Sequence, residues 1–182
     1  MRHRLKIRHF LPLLGLLGFL CLPAHAINIG QETRFEHDFD EEIVAWQEVQ
    51  AQLPAIPADV NLLSFGLDGR PDYRYAVDRK SLSVGADGVT RYSIVIISPS
   101  GARTLNFEGM RCATGERKIY AFGRPDGSWS KNRAARWDPI QARQAASYHS
   151  ALFYEYLCAG GEGTASVEQI VQRLKRGGYR VD

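Results

Sequence analysis

Histidine and cysteine, the side chains that hold most metal and redox sites, are scarce in this chain, with five and three among 182 residues. No cysteine pair has the Cys-x-x-Cys spacing of redox pairs and many zinc sites, and no His-Glu-x-x-His motif is present. The Gly-x-Ser-x-Gly motif and the glycine-rich nucleotide-binding loops are absent too. We therefore predict no metal, no cofactor and no catalytic residue set of a common type.

A hydrophobic run long enough to remain in a membrane is also missing. The apolar stretch from Phe10 to Leu22 is shorter than the roughly 20 residues that a spanning helix needs. It follows a cluster of positive charges and precedes the small-x-small sequence Ala-His-Ala at 24–26. This order predicts a signal peptide over residues 1–26, cleaved after Ala26, a periplasmic or secreted protein, and no stable transmembrane anchor. Lipidation of Cys21 is disfavoured because the large Leu20 precedes it.

An excess of positive charge is lacking outside this leader. The leader holds four of the 23 basic residues and none of the 20 acidic ones, so 19 basic and 20 acidic residues remain. A balance near zero gives no electrostatic reason to expect nucleic acid as a partner. Six acidic residues and one arginine lie in 27–42, which we interpret as an acidic flexible arm.

Two cysteines, Cys112 and Cys158, remain after the leader is removed. Because exported chains fold in oxidising compartments, we predict that they form a disulfide. The alternatives are a free catalytic thiol and a metal ligand.

The rest of the chain predicts an α+β fold, with one domain at 43–158. Apolar residues from Ile43 to Leu53 recur at helical spacing, which predicts a short N-terminal helix. About five strands then alternate with tight turns, and such short connections favour an antiparallel meander. Asp138 and Pro139 resemble the start of a long helix that ends near Cys158 and packs on the sheet.

Residues 159–182 are interpreted as a glycine-rich linker followed by an amphipathic helix. Ser166 and Gln169 have the spacing of a capping box, and Gly177 ends the apolar pattern. We expect this helix to dock on its own domain; association with a second protein, including a dimer, is the alternative.

Two groups of residues are candidates for function. Glu108 is a polar residue on an alternating strand, beside Arg111, whereas His149 is interpreted as a structural residue of the long helix. The other group combines cations with tryptophans, a pattern that suits anionic or ring-bearing ligands. It comprises Arg124, Trp129, Arg133, Arg136 and Trp137. The alternative for this group is that the tryptophans pack in the core while the arginines are solvated or bridge to acids.

Several strings in this domain resemble one known family. They are "DGVTRYSIVIISPSGARTLNFEGMRC", "RKIYAFGRPDGSW" and "HSALFYEYLC". Together they are similar to the cryptic neisserial protein-like family of small exported bacterial proteins, over about residues 43–158. The resemblance implies a location in the Gram-negative envelope and brings no assigned activity; the acidic arm and the last helix fall outside it.

These observations favour a non-enzymatic exported protein that binds an envelope component or a protein partner. The alternative is an enzyme that acts on an envelope polymer with Glu108 as its acid or base. The sequence leaves the ligand and the oligomeric state open.

Overall fold

The computed structural model describes residues 45–67, 69–141, 147–158 and 163–177. The predicted leader, the acidic arm and the glycine-rich linker lie outside these ranges, apart from Gly163–Ala165. All of these described residues belong to one compact unit. Within the described residues, no helix is both long enough and apolar enough to cross a bilayer.

A single antiparallel sheet forms the centre of the domain. Its strands are β1 (Leu62–Phe65), β2 (Arg74–Val84), β3 (Val89–Ile97), β4 (Arg103–Arg111), β5 (Glu116–Gly123), β6 (Trp129–Lys131) and β7 (Asp138–Pro139). Strands β1 to β6 are neighbours in chain order, and β7 also pairs with β5. The predicted antiparallel meander is therefore confirmed, whereas the predicted number of about five strands is too low, since the described part of the chain contains seven.

The helices are short, and the long helix predicted from Asp138 to Cys158 is wrong. Asp138 and Pro139 form β7, paired with Arg117 and Glu116. Because proline has no N–H to donate, it suits the end of an edge strand as well as the start of a helix. The described helical residues before Cys158 are a short helix α1 (Tyr148–Ala151), continued by a π-helix (Leu152–Leu157).

The final helix α2 (Val167–Arg176) agrees with its sequence pattern. The backbone N–H of Gln169 donates to Ser166 Oγ and the N–H of Ser166 donates to Gln169 Oε1, which completes the capping box. Gly177 ends the helix with φ at 80°, a left-handed conformation that favours glycine. Ile170 and Leu174 are buried in the same core as the sheet, so this helix docks on its own domain as expected.

The main core lies between one face of the sheet and the helices. Tyr75, Val77, Tyr92 and Ile94 supply apolar surface from β2 and β3. The helical side contributes Leu152, Tyr156, Leu157, Ile170 and Leu174. Each fully buried residue of this size stabilises the fold by about 1.5–3 kcal/mol, which explains why a sheet with short helices suffices for one domain.

The opposite face of the sheet contacts residues 45–58, a segment without regular secondary structure that we call the strap. The helix predicted here is therefore wrong in its described part. The backbone N–H of Val49 donates to Asp87 Oδ2 at 2.8 Å, while Trp46 Nε1 donates to the Asp87 carbonyl at 2.9 Å. A helix this short is marginal by itself, so bonds to the sheet outweigh its weak helical tendency.

Asp87 is one anchor of the strap, and its carboxylate makes this contact sensitive to acid. Burial alone would raise its pKa, but hydrogen bonds from Arg91 and from the N–H groups of Val49 and Val89 lower the pKa to about 2. A carboxyl with a lowered folded-state pKa stabilises the protein above its unfolded value, about 4, and loses that contribution as the pH falls towards 2.

Replacing Asp87 by asparagine should therefore destabilise the protein by about 1–3 kcal/mol at pH 7, because a charged acceptor is lost. The difference from the unmodified protein should shrink as the pH falls from 4 towards 2. Urea unfolding followed by tryptophan fluorescence at several pH values measures both quantities. A difference that stays constant down to pH 2 would contradict the assignment.

Candidate functional site

Glu108 is a carboxylate buried in the main core and surrounded by donors. Its side chain has no exposed surface. Tyr148 Oη and Asn106 Nδ2 donate to Oε1 at 2.8 and 3.0 Å. Tyr92 Oη donates to Oε2 at 3.1 Å, and His149 Nε2 lies 3.0 Å from the same oxygen. All four lone-pair positions of the two carboxylate oxygens therefore have a hydrogen-bond partner.

The strand register explains why these groups meet. Glu108 on β4 pairs with Tyr92 on β3, so both side chains point to the helical face of the sheet. Asn106 lies two residues earlier on that face. Tyr148 and His149 begin α1, which packs over Glu108. The paired strands β3 and β4 and the start of α1 thus supply the groups of this polar network.

The network holds Glu108 in its ionised form. Burial raises the pKa of a carboxyl, but here the charge of His149 and the hydrogen bonds of His149, Asn106 and Tyr148 outweigh it, so the pKa of Glu108 lies below its usual value. Burial, followed by the nearby Glu108 charge, raises the pKa of Tyr92 and of Tyr148 well above the usual value. Both phenols therefore remain protonated donors.

His149 connects this buried network to an open cleft. Its side chain is 13% exposed. The cleft has a volume of about 220 Å³ and a largely polar wall. Its lining residues are Arg117, Pro139, Ile140, Gln141, Ser147 and His149. We call this depression the anion cleft, because its described lining contains cationic and neutral polar side chains and no carboxylate.

Arg117 supplies the fixed positive charge of the anion cleft. It lies on β5 at the register position of Met110, two residues from Glu108 along β4. Its charge opposes the rise in the pKa of Tyr92 and of Tyr148 that burial and Glu108 cause. Asp138 on β7 is its cross-strand neighbour, and among the described residues no hydrogen bond or ion pair involves its guanidinium.

The start of α1 also determines where the serines beside His149 lie. On a continuous helix, Ser147 and His149 would face different directions. Ser147 instead precedes α1 as its N-cap in an extended conformation, and both residues line the cleft. Ser150 donates to the carbonyl of Gln141 at 3.1 Å and so fixes one cleft wall to α1.

Cys112 and Cys158 are bonded in the structure, with a Cα–Cα distance of 5.3 Å. The disulfide joins the residue after β4 to the residue after the π-helix. It thereby ties the strand that carries Glu108 to the helical segment that carries His149. A metal-ligand role is not supported, since the described residues contain no group of three potential metal ligands.

Glu108 and Arg111 do not form a common site. Arg111 lies three residues later on the same strand, so its side chain points to the opposite face. Its guanidinium lies 3.8 Å from the ring centroid of Trp46 on the strap and 3.6 Å from Glu116. The two residues are close in sequence but lie on opposite faces of the sheet.

The arginine–tryptophan group is also divided. Trp129 Nε1 donates to the Pro54 carbonyl at 2.8 Å, and Trp137 Nε1 donates to Glu48 at 3.1 Å, so both indoles contact the strap. Phe107 is close to Trp129, with ring centroids 6.2 Å apart, which places this surface opposite Glu108. The two tryptophans hold the strap.

The three arginines of that group have different partners and do not meet at one site. Arg136 forms an exposed ion pair with Asp138 at 2.8 Å, and Arg124 donates to Ser130 at 3.1 Å. Arg133 is exposed. This arrangement agrees with the alternative in which tryptophans pack and arginines are solvated or bridge to acids.

Four groups of the site were not identified from the sequence: Tyr92, Asn106, Arg117 and Tyr148. Asn106 and Glu108 are two apart on β4 and alternate with the apolar Leu105 and Phe107, and that pair of polar residues was an available signal. Contact between Glu108 and His149 could not be inferred, because 41 residues separate them.

The comparisons with known proteins identify a family. The sequence profile of the CNP1-like family matches residues 41–175. The match includes nearly all of α2, so the expectation that the last helix lies outside the family is wrong. Searches of curated proteins and of solved structures returned no match. The chain belongs to the CNP1-like family, whose function is unknown.

Proposed function

We propose that this is a non-enzymatic exported protein that binds an anionic envelope component in the anion cleft. Export is supported by the leader pattern of residues 1–26 and by the Cys112–Cys158 disulfide. The binding role is supported by a cleft with cationic donors and no carboxylate in its described lining.

One observation carries the proposal, namely that His149 is held at the cleft by a wholly buried carboxylate. Burying an ion pair seldom improves stability over an apolar core of the same volume. Here Glu108, held by three other donors, fixes one ring edge of His149 and leaves the other edge for the cleft. Preorganised donors of this kind reduce the ordering cost of binding a ligand.

Replacing Arg117 by alanine should lower the affinity of the cleft for small anions at least tenfold. A hydrogen bond between charged groups contributes about 1.5–3 kcal/mol, which is equivalent to this loss or more. Heteronuclear NMR titration of the purified protein with phosphate, sulfate and acetate at low ionic strength measures the affinities.

The matched control is Arg133→Ala, which removes the same charge from an exposed position outside the cleft. It should bind the anions as the unmodified protein does. The proposal fails if none of the three anions binds the unmodified protein, or if Arg117→Ala binds them equally well. Loss of binding in Arg133→Ala alone would instead favour the arginine–tryptophan surface.

The second candidate function is that of an enzyme in which Glu108 is not itself the acid or base. Since Glu108 has no exposed surface, it would position His149 rather than contact a substrate, and the acid or base would be His149. A histidine oriented by a carboxylate at the wall of a polar cleft is the observation that favours it. Turnover of an anionic ester that depends on His149 would support it.

A further inference from the structure

We propose that a second cavity, which we call the strap cavity, binds a primary ammonium group carried by a short apolar chain. The strap cavity has a volume of about 410 Å³, within the range of small-ligand sites. The strap contributes residues 54–58 to its wall, and the other side contributes Asn61, Asp78, Lys80 and Ser81. A free alkylamine and the amine group of a larger envelope molecule share this chemistry.

The strap cavity lies on the face of the sheet opposite the buried network of Glu108. Asp78 on β2 pairs with Ser93 on β3, and Ser93 pairs with Phe107 on β4. Cross-strand partners point to the same face, and Phe107 belongs to the face opposite Glu108. Binding in the strap cavity is therefore separate from the anion cleft and goes beyond the proposed function.

Asp78 is a buried carboxylate without a cation beside it. The residue is 3% exposed. Its Oδ1 accepts the backbone N–H of Lys80 at 3.3 Å, and its Oδ2 accepts the backbone N–H of Ser81 at 3.1 Å. Among the described residues, no basic side chain forms an ion pair with it. Because buried carboxylates are normally paired, the remaining acceptor positions of Asp78 favour a cationic donor from a ligand.

A second buried group next to Asp78 also lacks a partner. Ser93 is its cross-strand neighbour, so the two side chains share a face. Ser93 is fully buried, and its Oγ has no hydrogen-bond partner among the described residues. Folded proteins rarely leave such a group unpaired, so Ser93 indicates independently of Asp78 that this place accommodates a hydrogen-bonding group.

The strap side of the cavity suits the carbon chain of a ligand. Pro54 and Pro57 have no N–H to donate, and Ala55 and Ile56 carry apolar side chains. A divalent metal ion fits this wall poorly, because calcium takes about six to eight oxygen ligands. Asp78 is the one carboxylate among the lining residues that the structure describes. An organic cation with an apolar body matches both sides of the cavity.

Lys80 is the cation of the chain that competes most directly with such a ligand. It is exposed, and its contact with Asp78 is made by the backbone N–H rather than by the ammonium group. The neighbouring Arg79 is directed elsewhere, with its guanidinium 3.4 Å from Asn61 Oδ1. Lys80 therefore acts on a bound ammonium ion as a like charge, and removing it should strengthen binding.

Heteronuclear NMR titration at pH 7 with n-butylamine and n-butanol measures this binding. The two probes have the same chain and differ in the charge of the donor. The unmodified protein should bind butylammonium at least tenfold more tightly, because its hydrogen bond to Asp78 is charge-assisted. The shifts should include the indole N–H of Trp129, which donates to the Pro54 carbonyl at 2.8 Å.

Two further probes, N-acetyl-lysine amide and glycerophosphoethanolamine, distinguish the source of the amine. Tighter binding of the first indicates the side chain of a peptide, and tighter binding of the second indicates a lipid headgroup. Either order supports a site for a primary ammonium group.

Asp78→Asn separates ligand binding from a purely structural role of Asp78 at the β-bulge of β2. The amide keeps one acceptor oxygen for the bulge but has no charge, so the preference for butylammonium should fall at least tenfold. The matched control is Asp126→Asn, because Asp126 is an exposed aspartate that accepts the N–H and the hydroxyl of Ser128 in a turn. This control should bind both probes as the unmodified protein does.

Lys80→Ala should bind butylammonium about twofold more tightly, as expected when one exposed like charge is removed. Weaker binding in this variant would contradict the assigned role of Lys80. Arg117→Ala should leave amine binding unchanged even where it abolishes anion binding, so failure of the proposed function and failure of the strap cavity are distinguishable.

Three results overturn the proposal: no binding of butylammonium, equal binding of butylammonium and butanol, and an unchanged preference in folded Asp78→Asn. Circular dichroism checks the folding of each variant. If Asp78→Asn does not fold, the relative affinities of the two probes for the unmodified protein and the residues whose signals shift still decide the matter.

Discussion

Replacing Glu108 by alanine is expected to destabilise the protein by about 3–5 kcal/mol, the range measured when one partner of a buried ionic network is removed. The change leaves the hydroxyls of Tyr92 and Tyr148 and the ring of His149 without their acceptor. A buried donor without a partner costs its full desolvation free energy, about 1–3 kcal/mol each, while some relaxation recovers part of the loss. Urea denaturation followed by circular dichroism gives the free energy of unfolding.

Glu116 provides the matched control, because it is a partly exposed glutamate on the neighbouring strand. It lies 3.6 Å from Arg111. Partly exposed pairs of this kind contribute about 0–1 kcal/mol, so Glu116→Ala should have a small effect. If Glu108→Ala and Glu116→Ala lowered the free energy of unfolding equally, the hydrogen bonds around Glu108 would contribute little to stability.

The pH dependence gives an independent check on the charge of Glu108. Its folded-state pKa lies below the unfolded value of about 4.3, so its contribution is complete above that value and is lost as the pH falls through the lowered folded value. Glu108→Gln has no charge to lose. The stability difference between this variant and the unmodified protein should therefore shrink in acid, whereas a constant difference would argue for a neutral Glu108.

The predicted sheet succeeded because its evidence is local. β3 ends in an apolar run and β4 alternates polar with apolar residues, both are bounded by turns, and their pairing follows from the short connection. The capping box of Ser166 is also local, and it is confirmed. Patterns within about ten residues therefore account for most of the elements that were predicted correctly.

The two helices predicted wrongly show where local patterns fail. Val49 has the spacing of an amphipathic helix, but its N–H binds Asp87, 38 residues away. Asp138 and Pro139 have the sequence of a helix start, but they pair with β5. In both cases distant backbone or side-chain groups compete for the same hydrogen bonds, and propensities of a few tenths of a kcal/mol per residue do not decide the outcome.

The candidate site was predicted in part for the same reason. Glu108 was identified because it is a polar residue on an alternating strand. The direction of its side chain and its contact with His149 depend on how α1 packs over β4, which no local pattern specifies. Arg117 was missed for the same reason. A cation in a strand is common, and only the folded structure shows that a cleft lies beside this one.

Loss of the Cys112–Cys158 disulfide is the second change with a large expected effect, about 4 kcal/mol from the chain entropy of a 46-residue separation. Reduction of the unmodified protein and the double variant Cys112→Ala, Cys158→Ala should lower the free energy of unfolding by similar amounts. Urea denaturation with and without reductant measures both. A reductant effect that persists in the double variant would show that another group is responsible.

The same bond should also affect the anion cleft, because Cys112 lies four residues after Glu108 and Cys158 lies nine residues after His149. The disulfide is one of the ties between this helical segment and the sheet, so the distance between Glu108 and His149 becomes less well defined without it. We expect weaker phosphate binding in the double variant at a urea concentration of zero, where it remains folded.

Alkylation of protein denatured directly from a cell-envelope extract checks the premise: both cysteines should react only after reduction, and modification before reduction would contradict both the disulfide and export to an oxidising compartment.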